Sequence, residues 1–473
     1  MRRRQRKGFG YYLRRLLFLA LFISGAFYAG KIIYLKQQVL PVKKILADSV
    51  LKGRQFETKV QQIESGNLKA YLLEEHSNPI ISIRFLFQKA GVAHEPEEKG
   101  GLATLLSEML TAGGGQYDAE AFKEICAEYG IKVSFSAGAD DFSGVLQFPS
   151  QYQDMAVKIF KSALYEPRYD ESYFELAKTQ QMMALKLQQE RPEQVLNERF
   201  KQFIFAGHPY ERQALGSQKS VFDLTVEDLE NYRQAKLAQN NLLIGVAGDL
   251  SADKAANLLQ KLFGQLPKQT EIEISSPLII ETTGAEQNID RQSAQAVVKF
   301  AAQGTFRDSI DFYPLYMANF IFGESGLTSR LNKTIREDKG LTYGIYTYLT
   351  ISDEAALIQG SFSATPENLP QAKEILRQEW LKLGESGVSA EELAQAKKSL
   401  LASYNLRFAE IDSIASMLLA MQKYRLGIDF LDKRNDYIAE VSLQEVNAAA
   451  KKYFRTLPDM VYIGARTNVE EKK

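Results

Sequence analysis

Two side chains able to act on a carbonyl stand seven positions apart, Arg336 and Tyr343, with Lys339-Gly340-Leu341 between them. A glycine-flanked turn, Gly323-Glu324-Ser325-Gly326, precedes them, and Ser329-Arg330-Leu331 opens a helix in between. A phenol can donate a hydrogen bond to an oxygen as it becomes negative, and such donors act where charge develops in a transition state. A guanidinium orients carbonyls and carboxylates through its fixed fork. Glycines let a backbone approach another chain closely. Each residue alone has a bland explanation. An Arg near a helix C-terminus is favoured by the helix dipole, Gly340 reads as an ordinary C-cap, and Tyr343 and Tyr348 are common strand residues. The joint spacing is what carries information.

That order, running from Ala318 to Tyr348, resembles the C-terminal domain of the pitrilysin/insulinase-type metallopeptidases, the inverted zincins that include mitochondrial processing peptidase. The resemblance implies that Arg336 and Tyr343 reach a bound peptide near its scissile bond. It also implies substrate contacts from Gly323, Gly326, Ser329 and Arg330. In the N-terminal half it implies a His-x-x-Glu-His helix, with two imidazoles four residues apart on one face and a Glu that activates a zinc-bound water. The framing residues of that helix are present, from Gly100-Gly101-Leu102-Ala103 through Met109-Leu110 to Ala112-Gly113-Gly114. The three functional positions hold Thr104, Ser107 and Glu108 instead. The later helix that should give a third ligand has no carboxylate from Leu176 to Gln189. No metal is expected in this chain.

The other candidates for chemistry are scattered. His76 sits in a polar turn beside Ser77-Asn78-Pro79, and His208 lies in a structural loop, FAGHPYERQALG. His94 precedes a proline and an acidic run, where Glu97 and Glu98 would be its only company around a cation. Cys126 is the single cysteine, so no internal disulfide exists, and its apolar helical position reads as core. No Ser-His-Asp set, phosphate loop or dinucleotide fingerprint stands out.

The elements that must position these residues come as two similar units. Their closing segments match best: TVEDLENYRQAKLAQNNLLIGVAGDL at 225–250 parallels SLQEVNAAAKKYFRTLPDMVYIGA at 442–465. Each opens with a hydroxyl N-cap and an acid three residues on, then ends in an apolar strand. An internal duplication is the economical explanation. At 473 residues the chain exceeds one ordinary core. We expect an α+β fold of two homologous α/β-roll domains, each an antiparallel-dominated sheet packed with long helices. The domains are placed at 60–268 and 289–468, joined by a linker at 269–288.

Lys plus Arg equals Asp plus Glu, so the net charge of zero gives no general attraction to nucleic acid. The N-terminus departs from this balance. Residues 1–15 carry seven cations and no acid, and Leu16 to Gly30 carries no charge. We read 1–15 as a cytoplasmic basic region, 16–35 as a signal anchor crossing the membrane, and 36–59 as a helical stalk. The bulk would face the periplasm of a bacterium, with a cleaved, soluble form as the alternative. The resemblance then implies a zinc-less subunit that pairs with a homologue carrying the zinc motif and completes its site with Arg336 and Tyr343. Zinc is expected only in that partner, and the rival reading is an inert scaffold or peptide-binding protein at the membrane.

Overall fold

Strands buried on both faces need cover from both sides, and the central strands here are of that kind. The computed structural model describes residues 59–272, 276–291, 293–404 and 408–464. The basic region, the apolar segment and nearly all of the stalk lie outside the described residues. Among the described residues, no helix is long and apolar enough to cross a membrane.

The first sheet holds β1 (Gln61–Ser65), β2 (Leu68–Glu74), β3 (Ile80–Phe87), β4 (Lys132–Ala137), β5 (Phe142–Pro149) and β6 (Leu242–Gly248), in the order β1-β2-β6-β3-β5-β4. The second holds β7 (Glu286–Asp290), β8 (Ala296–Gln303), β9 (Ile345–Ile351), β10 (Ala356–Ala364) and β11 (Asp459–Gly464), in the order β7-β11-β8-β10-β9. Strands β7, β11, β8, β10 and β9 repeat β2, β6, β3, β5 and β4. The repeat extends to direction, since β2–β6 and β7–β11 are the parallel pairs and the others are antiparallel. The duplication read from the closing segments is thus a duplication of topology. Strand β7 begins at Glu286, inside the stretch expected to be linker.

The first half contributes α1 (Leu102–Met109), α2 (Ala119–Glu128), α3 (Gln153–Tyr165), α4 (Glu171–Glu190), α5 (Pro192–Ile204), α6 (Gln218–Phe222), α7 (Val226–Lys236) and α8 (Ala252–Phe263). The second contributes α9 (Phe312–Asn319), α10 (Leu369–Ser386), α11 (Ala390–Ser403), α12 (Ile411–Lys423), α13 (Phe430–Glu440) and α14 (Leu443–Tyr453). Capping boxes open α7 at Thr225 and Asp228, α11 at Ser389 and Glu392, and α14 at Ser442 and Glu445. In each, two otherwise orphaned backbone donors at a helix start are satisfied.

One face of each sheet packs on its own helices, forming the two main cores. The opposite faces are covered by exchange. Helix α12 of the second half lies on the first sheet, where Ile414, Ala415 and Leu418 meet Leu73 and Ala247. Helix α5 of the first half lies on the second sheet, where Leu196, Phe200 and Ile204 meet Ala301, Leu357, Val461 and Ile463. Burial of each Leu, Ile, Val or Phe among these is worth about 1.5–3 kcal/mol. Gly245 permits the first contact: a Cβ there would stand 2.3 Å from the Ala415 carbonyl oxygen. Arg84 and Ser82 of β3 both donate to Asp412 of α12, at 2.7 Å from Nε and 2.9 Å from Oγ. Arg84 holds the Asp412 carboxyl below its usual range.

Candidate functional site

Helix α9 does not stop at the turn that carries the glycines. It widens into a π-helical turn, Phe320–Glu324, whose end packs on β9. Gly323 is buried there, and an added Cβ would lie 2.3 Å from Thr347 Oγ1 and 2.8 Å from its backbone N. Its missing side chain therefore serves helix–strand contact, a different reason from the exposed peptide approach expected from sequence. Gly326 is exposed, has φ +65°, and a Cβ there would meet nothing within 4 Å. Glycine suits that left-handed turn.

Ser329 is fully buried, and its Oγ accepts from Asn332 N at 3.3 Å and Nδ2 at 3.1 Å. Arg330 lays its fork on Glu392 of α11, 2.6 Å at each contact, and donates to the Gly387 carbonyl at 2.9 Å. Arg330 holds the Glu392 carboxyl below its usual range. Both side chains are turned to neighbouring structure.

Asn332, which sequence reading passed over, joins the whole element. Its Nδ2 donates to the carbonyls of Gly326 at 3.0 Å and Ile345 at 2.6 Å, while its Oδ1 accepts from Ile345 N at 3.3 Å. One buried amide thus ties the turn, the following helical segment and the start of β9. A buried Asn four positions before Arg336 was the available signal, but a lone Asn has no chemical signature in sequence.

Arg336 stands on a second π-helical turn, Asn332–Glu337, and is half-buried. The turn closes through Gly340 N to Arg336 O at 3.0 Å and Leu341 N to Ile335 O at 3.0 Å. Thr342 is buried and donates Oγ1 to the Ser363 carbonyl at 2.6 Å, pinning the backbone beside Tyr343. Tyr343 itself is 76 % exposed. Among the described residues, neither its hydroxyl nor the Arg336 guanidinium has a hydrogen-bond partner. Strand β9 follows directly and is a sheet edge, with Tyr346 exposed on its outer side. The element therefore presents one phenol and one guanidinium on a rigid support next to an edge strand.

The positions of the missing metal motif lie on α1. Thr104 Oγ1 donates to the Ala214 carbonyl at 2.5 Å, and Ser107 Oγ donates to the Thr104 carbonyl at 2.7 Å. Glu108 is exposed. On α4, Gln181 is buried and its Nε2 donates to the carbonyls of Gly101 at 3.1 Å and Leu215 at 2.9 Å. Lys178 is buried too, donating to the carbonyls of Phe222 at 2.9 Å and Leu224 at 3.0 Å. Two hydroxyls, one carboxylate, an amide and an ammonium do not make a zinc donor set, which needs imidazole, thiolate or carboxylate ligands. Among the described residues no group of three His, Cys, Asp or Glu is placed to hold a metal.

One carboxylate here has a structural task the sequence did not reveal. Glu95 is 4 % exposed and accepts from Gly101 N at 3.0 Å and Ala103 N at 2.6 Å, capping α1. Burial pushes its carboxyl up to about 7. The histidines are separate. His76 bridges Asp249 and Glu74 at 2.8 and 3.2 Å. His208 meets Glu354 at 3.0 Å through Nε2, and its Nδ1 accepts from Tyr210 N at 3.2 Å. His94 has a buried Nε2 without a partner, and burial lowers its pKa.

Comparison with known proteins gives two adjoining family matches. Residues 71–218 match the model of the insulinase family, peptidase family M16, and residues 223–400 match that of the peptidase M16 inactive domain. A Helicobacter pylori protein named non-peptidase homolog YmxG is 26% identical over 400 residues, 83% of this chain and 90% of that one. A Bacillus subtilis protein named uncharacterized zinc protease YmxG is 20% identical over 370 residues, 77% of this chain and 88% of that one. A crystal structure of a peptidase M16 inactive domain from Pseudomonas fluorescens superposes with a TM-score of 0.81 at 23% identity, covering 86% of this chain and 99% of that one. The first match lies within the first half, the second begins at 223 inside that half and runs on to 400 in the second, and the chain belongs to the insulinase family of peptidases, M16.

Proposed function

We propose that this chain is the zinc-less subunit of a heteromeric metallopeptidase, completing with Arg336 and Tyr343 a zinc site that a homologous subunit supplies. The observation that carries this reading is the contrast between the two sites. The metal positions on α1 are replaced, and two of them, Thr104 and Ser107, are turned to internal hydrogen bonds. Tyr343 is exposed on a fully braced element.

In this reading a peptide lies extended along the site as an added strand, a mode that supplies main-chain hydrogen bonds without demanding a sequence. Tyr343 donates its hydroxyl to the scissile carbonyl oxygen as negative charge develops there. Arg336 orients the neighbouring peptide backbone or assists at that oxygen. Gly323 and Gly326 shape the turn beside the peptide, while Ser329 and Arg330 act by holding it in place. The partner contributes the metal and the water-activating base. The basic residues 1–15 followed by residues 16–35, apolar but for Lys31, support an anchored chain whose bulk lies in the periplasm.

The test is peptidase activity of the chain alone and mixed with the zinc-motif homologue from the same genome. Activity only in the mixture, lost on adding a chelator, is the expected result. Absence of any complex and of any change on mixing would overturn the reading in favour of an inert scaffold or peptide-binding protein.

A further inference from the structure

Three large apolar side chains stand in water on the turn and strand around Tyr343. Leu327 is 59% exposed, Tyr346 52% and Tyr343 itself 76%. Of the eleven exposed large apolar side chains among the described residues, these three fall within residues 327–346, so the element is enriched in them. Scattered singly, such side chains need no explanation, whereas neighbouring ones mark an interaction site.

One nitrogen brings two of them together. Asn332 Nδ2 donates to the carbonyls of Gly326 at 3.0 Å and Ile345 at 2.6 Å. Leu327 and Tyr346 are the residues that follow those two carbonyls. Thr328 Oγ1 fixes the turn further by donating to the Ser325 carbonyl at 2.9 Å. Tyr346 is steadied by Tyr348, two places on along β9 and so on the same face of the strand. Their rings stack with centroids 6.1 Å apart and planes 20° from parallel. Tyr348 is half-buried, so the pair is anchored at one end and offers an open ring at the other. Side chains already held in place lose little freedom when a ligand arrives. Tyr343 stands three residues before Tyr346, no more than about 11 Å of backbone away.

We propose that Leu327 and Tyr346 form a subsite for one large apolar side chain, aromatic or branched aliphatic, of a peptide held at Tyr343, about three residues from its scissile bond. The peptide rests on the function proposed above, and the subsite adds which sequences are taken. A tyrosine ring receives other rings offset-stacked or edge-to-face, and aliphatic groups by burial of apolar area. Leu327 offers only hydrocarbon, so a carboxylate placed there would lose water without gaining a partner. A lysine would gain the ring face but set its ammonium beside that same hydrocarbon.

Dye-labelled serine–glycine peptides carrying one Phe, one Ala or one Lys test the assignment, by fluorescence anisotropy with the full-length chain and as substrates of its mixture with the zinc-motif homologue. The Phe peptide is expected to bind the chain at least about tenfold more tightly than the Ala peptide. In the mixture, mass spectrometry should place its cleavage about three residues from the Phe. Tyr346→Ala and Leu327→Ser, neither of which removes a buried side chain, are each expected to cut the Phe-over-Ala ratio to about threefold or less. If the mixture cleaves nothing while the chain alone keeps a Phe preference that both variants lose, the heteromeric reading fails and the subsite stands. Equal affinity for the Phe and Ala peptides, tighter binding of the Lys peptide, cleavage directly beside the Phe, or an unchanged preference in both variants would overturn the subsite.

Discussion

Tyr343 is exposed, yet the backbone on either side of it is fixed by Thr342 and by Asn332 acting on Ile345. An exposed phenol on a rigid support is suited to donate at the moment charge appears, since it needs no reorganisation. Replacing it by Phe removes only the hydroxyl. Tyr343→Phe should lower turnover of the proposed heteromer by about 10²–10³-fold with assembly unchanged, the size seen when one such donor is removed. An unaltered turnover number in a steady-state assay would refute the catalytic role. Asn332 presents the converse case. It is buried, and four groups, the Gly326 carbonyl, Ser329 Oγ and the backbone carbonyl and N–H of Ile345, lose a bond if it is shortened. Asn332→Ala should cost about 2–4 kcal/mol by leaving buried groups unsatisfied, read as a fall in the urea midpoint. Turnover of the proposed heteromer should fall with it, because the turn and β9 lose their common tie.

At the scale of elements, α1 keeps the frame of the family's zinc helix but is held by a carboxylate at its N-terminus. Burial raises the Glu95 carboxyl from 4.5 to about 7, so the folded state retains a proton that the unfolded chain gives up. Stability from this group is fully present below about pH 4.5, declines as pH rises, and is gone above about pH 7. The shift corresponds to roughly 3 kcal/mol across that window. Glu95→Gln should therefore flatten the dependence of the melting temperature between pH 5 and 8, checked by scanning calorimetry at several pH values. A slope identical to that of the parent would show that Glu95 does not titrate there. Asp141, pushed up to about 6 by burial and paired with Lys423, has the same sign and remains in the variant as an internal reference.

For the whole molecule, the exchange of α5 and α12 makes each half a cover for the other. Without α12 the first sheet would expose Leu73 and Ala247, and without α5 the second would expose Ala301, Leu357, Val461 and Ile463. Residues 59–272 expressed alone should accordingly lack cooperative thermal unfolding, despite containing a complete sheet. A sharp two-state melt of that fragment would contradict the argument. Gly245→Val should have a related effect in the intact chain, since its side chain would start 2.3 Å from the Ala415 carbonyl. Loss of the folded form or a drop of several kcal/mol is expected, measured by urea unfolding.

How much of this was legible in sequence depends on the range of the interaction. Capping boxes at Thr225, Ser389 and Ser442, the alternating strands and the duplicated closing segments are local patterns, and local patterns are written in order along the chain. The substitutions at Thr104, Ser107 and Glu108 were equally plain, because a metal site is specified by residue type at fixed spacing. The spacing of Arg336 and Tyr343 was readable too, but not the support beneath them. That Gly323 is small for Thr347, that Arg330 is engaged by Glu392, and that Asn332 spans a turn and a strand are pairings between distant positions. The same holds for the exchange of α5 and α12. Sequence by itself determined which residue types stand at the motif positions, Thr104, Ser107 and Glu108 in one half and Arg336 and Tyr343 in the other, because a motif is residue identity at fixed spacing. Only the tertiary structure decided which side chains are left for a ligand, because that depends on what the folded chain has already bonded to itself.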